Sequence, residues 1–478
     1  MKRAIWWIRR DLRLTDNQAF ESALQQAGEV IPVFVLDAKL LASQYVGEKR
    51  LAFLLDGLRA LDEGLRIRGS YLVVREGNPL NELGNLLRDT SSEVIFAEPD
   101  YSPYAKLRDQ RITNCLPINW TGEPVFHPPG TVLKPSGEPY TVFTPFSKVW
   151  KALPTTTSRR EVIVPTAIQT PPGIASVPIP EKPTLGFKIP FQTGETEAQR
   201  RLELFISTPY QAEIRISSNT TSKKIEAYAD LRNRLDFEGT SGLSPYLRFG
   251  MLSIRQAVFS ARNAIDSALD VEGRKGAETW LNELIWRDFY IHILYHFPRV
   301  RKQNFRIQRI RWLNKEEDFD LWCQGRTGYP VVDAGMRQLL QSGWMHNRAR
   351  MITASFLTKD LLIDWRWGER WFMQHLLDGD PAANNGGWQW TSGTGTDAAP
   401  YFRIFNPVSQ GIKFDPEGKY VRCWLPELSK VPLDFIHQPW RMSSDEQKSC
   451  ECVIGKDYPP PIVGHAFSRN RALKAYRR

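Results

Sequence analysis

The feature that most limits the fold of this 478-residue chain is an alternation confined to its first third. Short apolar runs rich in β-branched residues at 3–8, 30–37, 70–74 and 93–97 are separated by segments with helical periodicity at 17–27, 48–68, 79–88 and 104–112. Strands alternating with helices of this length demand βαβ units, because parallel neighbours need a crossover and their sheet must be covered on both faces. The expected N-terminal domain is therefore α/β, with a Rossmann-like parallel sheet and a ligand crevice at the carboxyl ends of its strands. Its first strand-to-helix turn reads RRDLRLTDN and has no G-x-G-x-x-G, which argues against a dinucleotide held as in nicotinamide enzymes.

Beyond the alternation lies a stretch at 154–190 with eight prolines and few charges, a long connection expected to run extended over the protein. After about residue 195, apolar residues recur at three- and four-residue spacing, so the second domain is expected to be all-α. The expected organisation is an α/β domain over 1–130, a linker over 131–198 and a helical domain over 199–478. No run approaches the roughly 18 to 20 apolar residues of a membrane span, and the N-terminus has only five apolar residues before the next arginine, too few for a signal-peptide core. Five cysteines without a C-x-x-C pair point to a reduced, cytoplasmic protein with neither a disulfide framework nor a structural zinc.

Charge and tryptophan are unevenly spread. Residues 1–200 carry 24 Lys+Arg against 22 Asp+Glu, so of the chain's 63 and 53 the remainder holds 39 against 31, a net of +8, with 12 of the 16 tryptophans. A basic, aromatic half suits a polyanion or a flat conjugated ligand; a basic surface over a Trp-rich core accounts for the same counts.

Four stretches carry possible chemistry. In ETWLNELIWRDFYIHILYHF, 278–297, Glu283, Trp286, Arg287 and Tyr290 share one helical face, where the charges need partners; an internal Glu–Arg pair is the structural reading. A helix near 332–362 contains WMHNRARM, with Asn347, Arg350 and Met351 on one face: an amide edge beside a soft surface for a flat ring. His346 and Met351 taken singly are packing residues. The stretch LLDGDPAANNGGWQWTSGTGTDAAPYF, 376–402, reads as a surface loop with Asp378, Asp380, Asn384 and Asn385 able to bond a heteroaromatic ring. Finally, GTSGLSPYLRFG, 239–250, offers hydroxyls and N–H groups to phosphate, or is simply a capped helix start. There is no HExxH, GxSxG or Walker loop, and the seven histidines are scattered, so hydrolytic chemistry is not indicated.

Together and in this order, TSGLSPYLRFG, WLNELIWRDFY, GWMHNRARM and DGDPAANNGGWQW resemble the photolyase/cryptochrome family, over most of the chain and most closely the microbial class I cyclobutane pyrimidine dimer photolyases. The resemblance implies an α/β antenna domain and a helical domain holding FAD, active when reduced and anionic. It implies that Tyr228, Thr240, Ser241, Leu243 and Ser244 hold the phosphate and ribitol region, that Arg350 and Asp378 pair beside the isoalloxazine, that Asp380 meets its polar edge and Asn384 its N5. Asparagine there, where plant-type photoreceptors have Asp, favours a flavin that can be fully reduced. Glu283, Trp286, Asn347, Met351 and Trp390 match the pocket for a flipped-out dimer, with Arg287 beside them and Asn347 also near the cofactor. Histidine stands at the Asn347 position in (6-4) photolyases and animal cryptochromes, so the resemblance is to dimer splitting. Trp388, Trp365 and Trp312 match an electron-hopping chain; tryptophans are otherwise core residues.

The implied reaction is light-driven electron transfer from reduced FAD to the dimer, opening of the cyclobutane ring and return of the electron, with Glu283, Asn384 and Trp390 catalytic. Arg10, Arg50, Asp100 and Arg248 resemble an antenna site, for 8-hydroxy-5-deazaflavin or another flavin rather than methenyltetrahydrofolate. The partner implied is ultraviolet-damaged DNA, contacted mainly at phosphates and hence without sequence preference and weakened by salt. Arg232, Arg348 and Lys413 are candidates for that surface, with a solvated face as the plain reading of Arg232. A monomer without an obligate protein partner is expected. A cryptochrome photoreceptor is the alternative, and the short basic segment 469–478 after the last expected helix weakens it. A flavin-free single-strand binder explains charge and aromatics but not the Asn/Asp/Gly stretch; the colour of the purified protein separates it.

Overall fold

The computed structural model describes residues 1–154, 164–209, 223–306, 310–400 and 402–477, so part of the proline-rich stretch and Tyr401 lie outside the described residues. They form two compact units: 1–185 with 191–229 and 241–298, and 186–190 with 230–240 and 299–478. The change near residue 198 is one of secondary-structure class; compactness groups the helices up to residue 298 with the sheet.

The first unit is built on a five-stranded, wholly parallel sheet of order β3-β2-β1-β4-β5, with β1 Arg3–Ile8, β2 Glu29–Asp37, β3 Val73–Gly77, β4 Val94–Ala97 and β5 Ile118–Trp120. Residues 4–8 of β1 are all buried, as a central strand covered on both faces requires. The helices Gln18–Gln26, Glu48–Arg66, Pro79–Thr90 and Pro103–Cys115 provide the crossovers. The third strand starts at Val73 rather than 70 because Ser70 N donates to the Leu65 carbonyl at 3.0 Å and Leu72 N to Asp62 Oδ1 at 2.8 Å. Beside it runs the proline-rich stretch: Ser70 Oγ lies 2.7 Å from Thr170 Oγ1, and Tyr71 Oη donates to the Pro171 carbonyl at 2.5 Å. That stretch continues along the exposed side of β3, where Val177 N donates to Val74 O at 3.0 Å. β5 was not expected; three residues show no periodicity.

Helices Phe143–Ala152, Glu195–Ser207, Ser244–Phe249, Ile254–Ser267 and Val271–His296 also belong to this unit. Gly250 lies at φ +63°, and a Cβ there would sit 1.9 Å from the Arg10 carbonyl, so only glycine lets the turn approach the end of β1. Arg255 pairs with Asp16 at 3.1 Å, and Asp288 on the long helix accepts from Phe126 N and Trp150 Nε1 at 3.0 and 3.1 Å.

The second unit is helical, around a core that includes Trp322, Trp365, Trp388, Leu339 and Leu357. Two expectations need correcting here. The helix expected near 332–362 is two, Pro330–Ser342 and Asn347–Ser355, because Gly343 at φ +73° ends the first. His346 then starts the second, its Nδ1 accepting from Arg348 N at 3.1 Å. The loop expected over 376–402 contains the helix Pro381–Ser392, capped by Asp380, whose Oδ1 accepts from Ala382 N and Ala383 N. Asn-Asn-Gly-Gly has low helix propensity. Tertiary bonds overcome it: Asn385 and Gln389, four apart, both donate to the Val300 carbonyl, at 3.0 and 2.9 Å.

Candidate functional site

In the second unit, Arg350 Nη2 lies 2.8 Å from Asp378 Oδ2, while Arg350 Nε donates to the Met345 carbonyl at 2.8 Å, so the guanidinium is fixed from two sides. Asp378 is buried, and its other oxygen, Oδ1, has no hydrogen-bond partner. Trp388 Nε1 is likewise buried without one. Unmet buried polar atoms cost free energy, so these two, without a partner among the described residues, leave room for a ligand's groups. Asp378 Oδ1 fits a ring N–H donor such as flavin presents.

Asn384 lies one turn into the helix behind Asp380. Its Nδ2 donates to Glu369 at both the carbonyl, 3.0 Å, and Oε1, 3.2 Å, and Glu369 pairs with Arg301 at 2.6 Å. The amide is thereby oriented, with Oδ1 on the side away from Glu369. Glu369 and Arg301 were missed in the sequence; the only signal was a carboxylate inside WRWGERWF, which reads equally well as solvated charge.

Trp388 and Trp365 lie in the core, 2% and 0% exposed, and the half-exposed Trp312 packs against it, a gradient from interior towards surface. Trp365 Nε1 donates to Asn304 Oδ1 at 2.8 Å. Trp388 and Trp390, two apart on a helix, point about 200° from one another. Asn347 is exposed at the start of its helix, its Nδ2 3.8 Å from Met351 Sδ. Lys413 is exposed and Arg232 half-buried. Arg348 departs from the expectation of a phosphate-seeking side chain: Nη2 donates to Asn233 Oδ1 at 2.6 Å, the guanidinium stacks over Phe414, and burial, aided by Arg232, lowers its pKa to about 10. Burial also lowers the His346 imidazole to about 4, so it caps its helix as a neutral ring.

In the first unit, Glu283, Trp286, Arg287 and Tyr290 do share a stripe of the long helix. Trp286 stacks on Phe143, centroids 3.7 Å apart and planes within 3°, so one face of the indole is already covered. Arg287 Nη1 donates to the Pro124 carbonyl at 2.7 Å and lies 3.6 Å from Asp288, contacts that brace the guanidinium within the fold. Tyr228 is buried beside Phe205. Thr240 belongs to the second unit; Ser241, Leu243 and Ser244 belong to the first. The helix begins at Ser244 behind Leu243 without a side-chain cap, so the capped start expected here is not formed.

The antenna candidates partly converge. Arg10 Nη1 is 3.8 Å from Asp100 Oδ1 and Arg10 Nε donates to the Arg248 carbonyl at 3.2 Å, while Arg50 is bonded to the Tyr45 carbonyl. Burial would raise the Asp100 carboxyl, but Arg10 and Arg9 outweigh it and hold it below the usual range. A small polar cavity beside Arg10 is lined also by Arg13, Glu98, Glu123 and Arg287. Burial pushes Glu98 and Glu123 up to about 7, the first despite its 2.6 Å pair with Arg13.

A parallel α/β unit followed by a helical unit with these paired and orphaned polar groups has the two-part architecture of a flavin-dependent photolyase. The family model for DNA photolyase matches residues 4–167, and that for the FAD binding domain of DNA photolyase matches residues 280–478. The chain belongs to the photolyase/cryptochrome family. It is 40% identical to a deoxyribodipyrimidine photo-lyase of Synechococcus sp., over 98% of this chain and 95% of that one. Its fold is similar to a bacterial class III photolyase from Agrobacterium tumefaciens, with a TM-score of 0.89 at 35% identity over 100% and 97% of the two chains. It is also similar to a Synechocystis cryptochrome, with a TM-score of 0.87 at 28% identity over 99% of each. Among the described residues no helix is long and apolar enough to cross a membrane, and no group of His, Cys, Asp and Glu could hold a metal ion.

Proposed function

We propose that this protein splits cyclobutane pyrimidine dimers in DNA under light, with FAD as its cofactor. The reading is carried by the Asn384 amide. With Nδ2 occupied by Glu369, Asn384 offers an acceptor oxygen, which suits a reduced flavin protonated at N5 and repels the lone pair of an oxidised one. Bound reduced FAD supplies the electron that light makes available to the lesion. Asp378 holds a ring N–H through its unpartnered oxygen, and Arg350 keeps that carboxylate in place. Tyr228, Thr240, Ser241, Leu243 and Ser244 serve the phosphate and ribitol portion, and Asp380 the ring edge.

Towards the lesion, Trp286 offers a ring braced by Phe143 and Trp390 a second ring, while Glu283 and Asn347 address carbonyl and imide edges, with Met351 as an adaptable wall. Glu283 steadies the charge that develops on the opening dimer, in surroundings poor in water. Glu283→Ala is expected to lower dimers repaired per absorbed photon severalfold while FAD content stays constant; an unchanged yield removes this role. Trp388, Trp365 and Trp312 carry electrons inward. Trp312→Phe is expected to abolish photoreduction of oxidised flavin yet leave repair by pre-reduced enzyme near wild-type, as flash absorption and a repair assay would register. Loss of both would make the tryptophan structural.

Arg10, Asp100 and Arg248 are the core of a site for an antenna pigment of the deazaflavin or flavin type, and Lys413 and Arg232 meet DNA phosphates. The similarity to a cryptochrome supports a second reading, a light sensor without repair activity. Dimer loss from irradiated DNA in light but not in the dark decides for the first; bound FAD without such loss decides for the second.

A further inference from the structure

The helix Asn347–Ser355 runs on into a π-helical turn, Phe356–Asp360, a local widening that re-aims side chains. It buries Lys359 completely. The ammonium donates to the Ser392 carbonyl at 3.0 Å, the last residue of the helix that carries Trp388, and lies 3.4 Å from the centroid of the Tyr476 ring. Tyr476 in turn meets Trp312 edge to face, centroids 6.0 Å apart. No carboxylate among the described residues pairs with Lys359. Asp360, its neighbour, is engaged by His465 at 2.6 Å, and the Asp360 carbonyl by Arg471. Asp364 acts on Tyr476 from beyond the turn. These, with Ser392 and Tyr476, are the charged, titratable and polar groups whose contacts near the lysine are seen among the described residues. Burial alone brings its pKa down to about 7, so near neutrality the site is charged in only part of the molecules.

We propose that Lys359 is a positioning residue for light-driven reduction of the flavin: its charge, one ring away from Trp312, opposes the positive hole that arises there, and loss of its proton lifts that opposition. The inference rests on Trp388, Trp365 and Trp312 forming the electron path. In the step concerned one electron leaves Trp312 for the inner tryptophans and on to photoexcited oxidised FAD, and one positive charge remains on the indole. Two like charges with one ring between them repel; Lys359 is fully buried, and the partial exposure of Trp312 weakens the repulsion without removing it. A neutral amine permits the hole; an ammonium pushes it back inward, where it recombines.

The test is the yield of long-lived oxidised tryptophan after a laser flash on the full-length, FAD-loaded protein, from about pH 6 to about pH 8.5, a range that brackets the lysine. Wild-type yield should rise roughly threefold across it. Lys359→Met should be flat at the high-pH level, and Lys359→Arg, charged throughout, flat at the low one, each with wild-type FAD content as proof of folding. Equal slopes in all three proteins would overturn the proposal, because a purely structural lysine leaves the pH profile unmoved. Trp312→Phe separates the two layers. If it still forms the long-lived signal, the electron path itself is wrong; if it does not while Lys359→Met keeps the wild-type slope, only the lysine's role fails.

Discussion

Replacing Arg350 by alanine is expected to strip the flavin from the protein. Asp378 would keep a buried carboxylate with neither of its oxygens answered, since Oδ2 has Arg350 and Oδ1 has no partner among the described residues. Removing one member of such a pair costs about 3 kcal/mol or more. Charged to the binding-competent state, that is roughly a 100-fold loss of affinity for FAD. Flavin absorbance per protein after gel filtration gives the answer directly. Adding Asp378→Asn should restore thermal stability, because no unpaired charge remains, but not flavin content. Full retention of FAD in Arg350→Ala would mean that the pair merely braces the start of the helix through the Met345 carbonyl.

Asn384→Asp is the second large effect. The substitution removes both bonds to Glu369 and sets a carboxylate about where Nδ2 stands, 3.2 Å from Glu369 Oε1. Two carboxylates at that distance cannot both stay ionised, and Arg301 can answer only part of the charge. A loss of about 2 kcal/mol in stability follows from the broken bonds. One carboxyl retains its proton and turns from acceptor into donor, so the preference for a protonated N5 is lost. Illuminated with a reductant, the variant should stop short of full flavin reduction, as absorption spectra would show. Spectra identical to wild type would place the choice of redox state elsewhere than in this amide.

How far these features could be read from the sequence depended on how local their causes are. The sheet was legible because β1 and β2 are continuous apolar runs that permit only a doubly covered strand. The third strand was displaced by three residues because the N–H groups of Ser70 and Leu72 are taken by Leu65 and Asp62 of the preceding helix, bonds that an apolar run does not announce. The helix through Asn384 was unreadable for a similar reason: its own residues disfavour it, and Val300 stabilises it. Of the site, Arg350 and Asp378 could be named by motif and the structure pairs them, whereas Glu369, Arg301, Phe143 and Lys359 act through contacts that have no sequence signature. Arg287 and Arg348 show the converse. An arginine beside a functional motif reads as a ligand-facing cation, yet each is held by neighbours within its own unit, one by a carbonyl and one by an amide and a ring.

The helix Pro381–Ser392 carries Asn384, Trp388 and Trp390 at offsets of four and two, and thereby works as a spacer of fixed gauge. Inserting or deleting one residue between Asn384 and Trp390 would rotate everything beyond it by about 100°. A change before Trp388 would turn both tryptophans out of their surroundings at once, and one between Trp388 and Trp390 would turn the second alone. Point substitutions leave the gauge intact, and so do length changes after Gly393, where the helix has ended. The protein can therefore vary in composition along this helix but not in length, and a library of single-residue insertions should show a sharp boundary in tolerance at its carboxyl end.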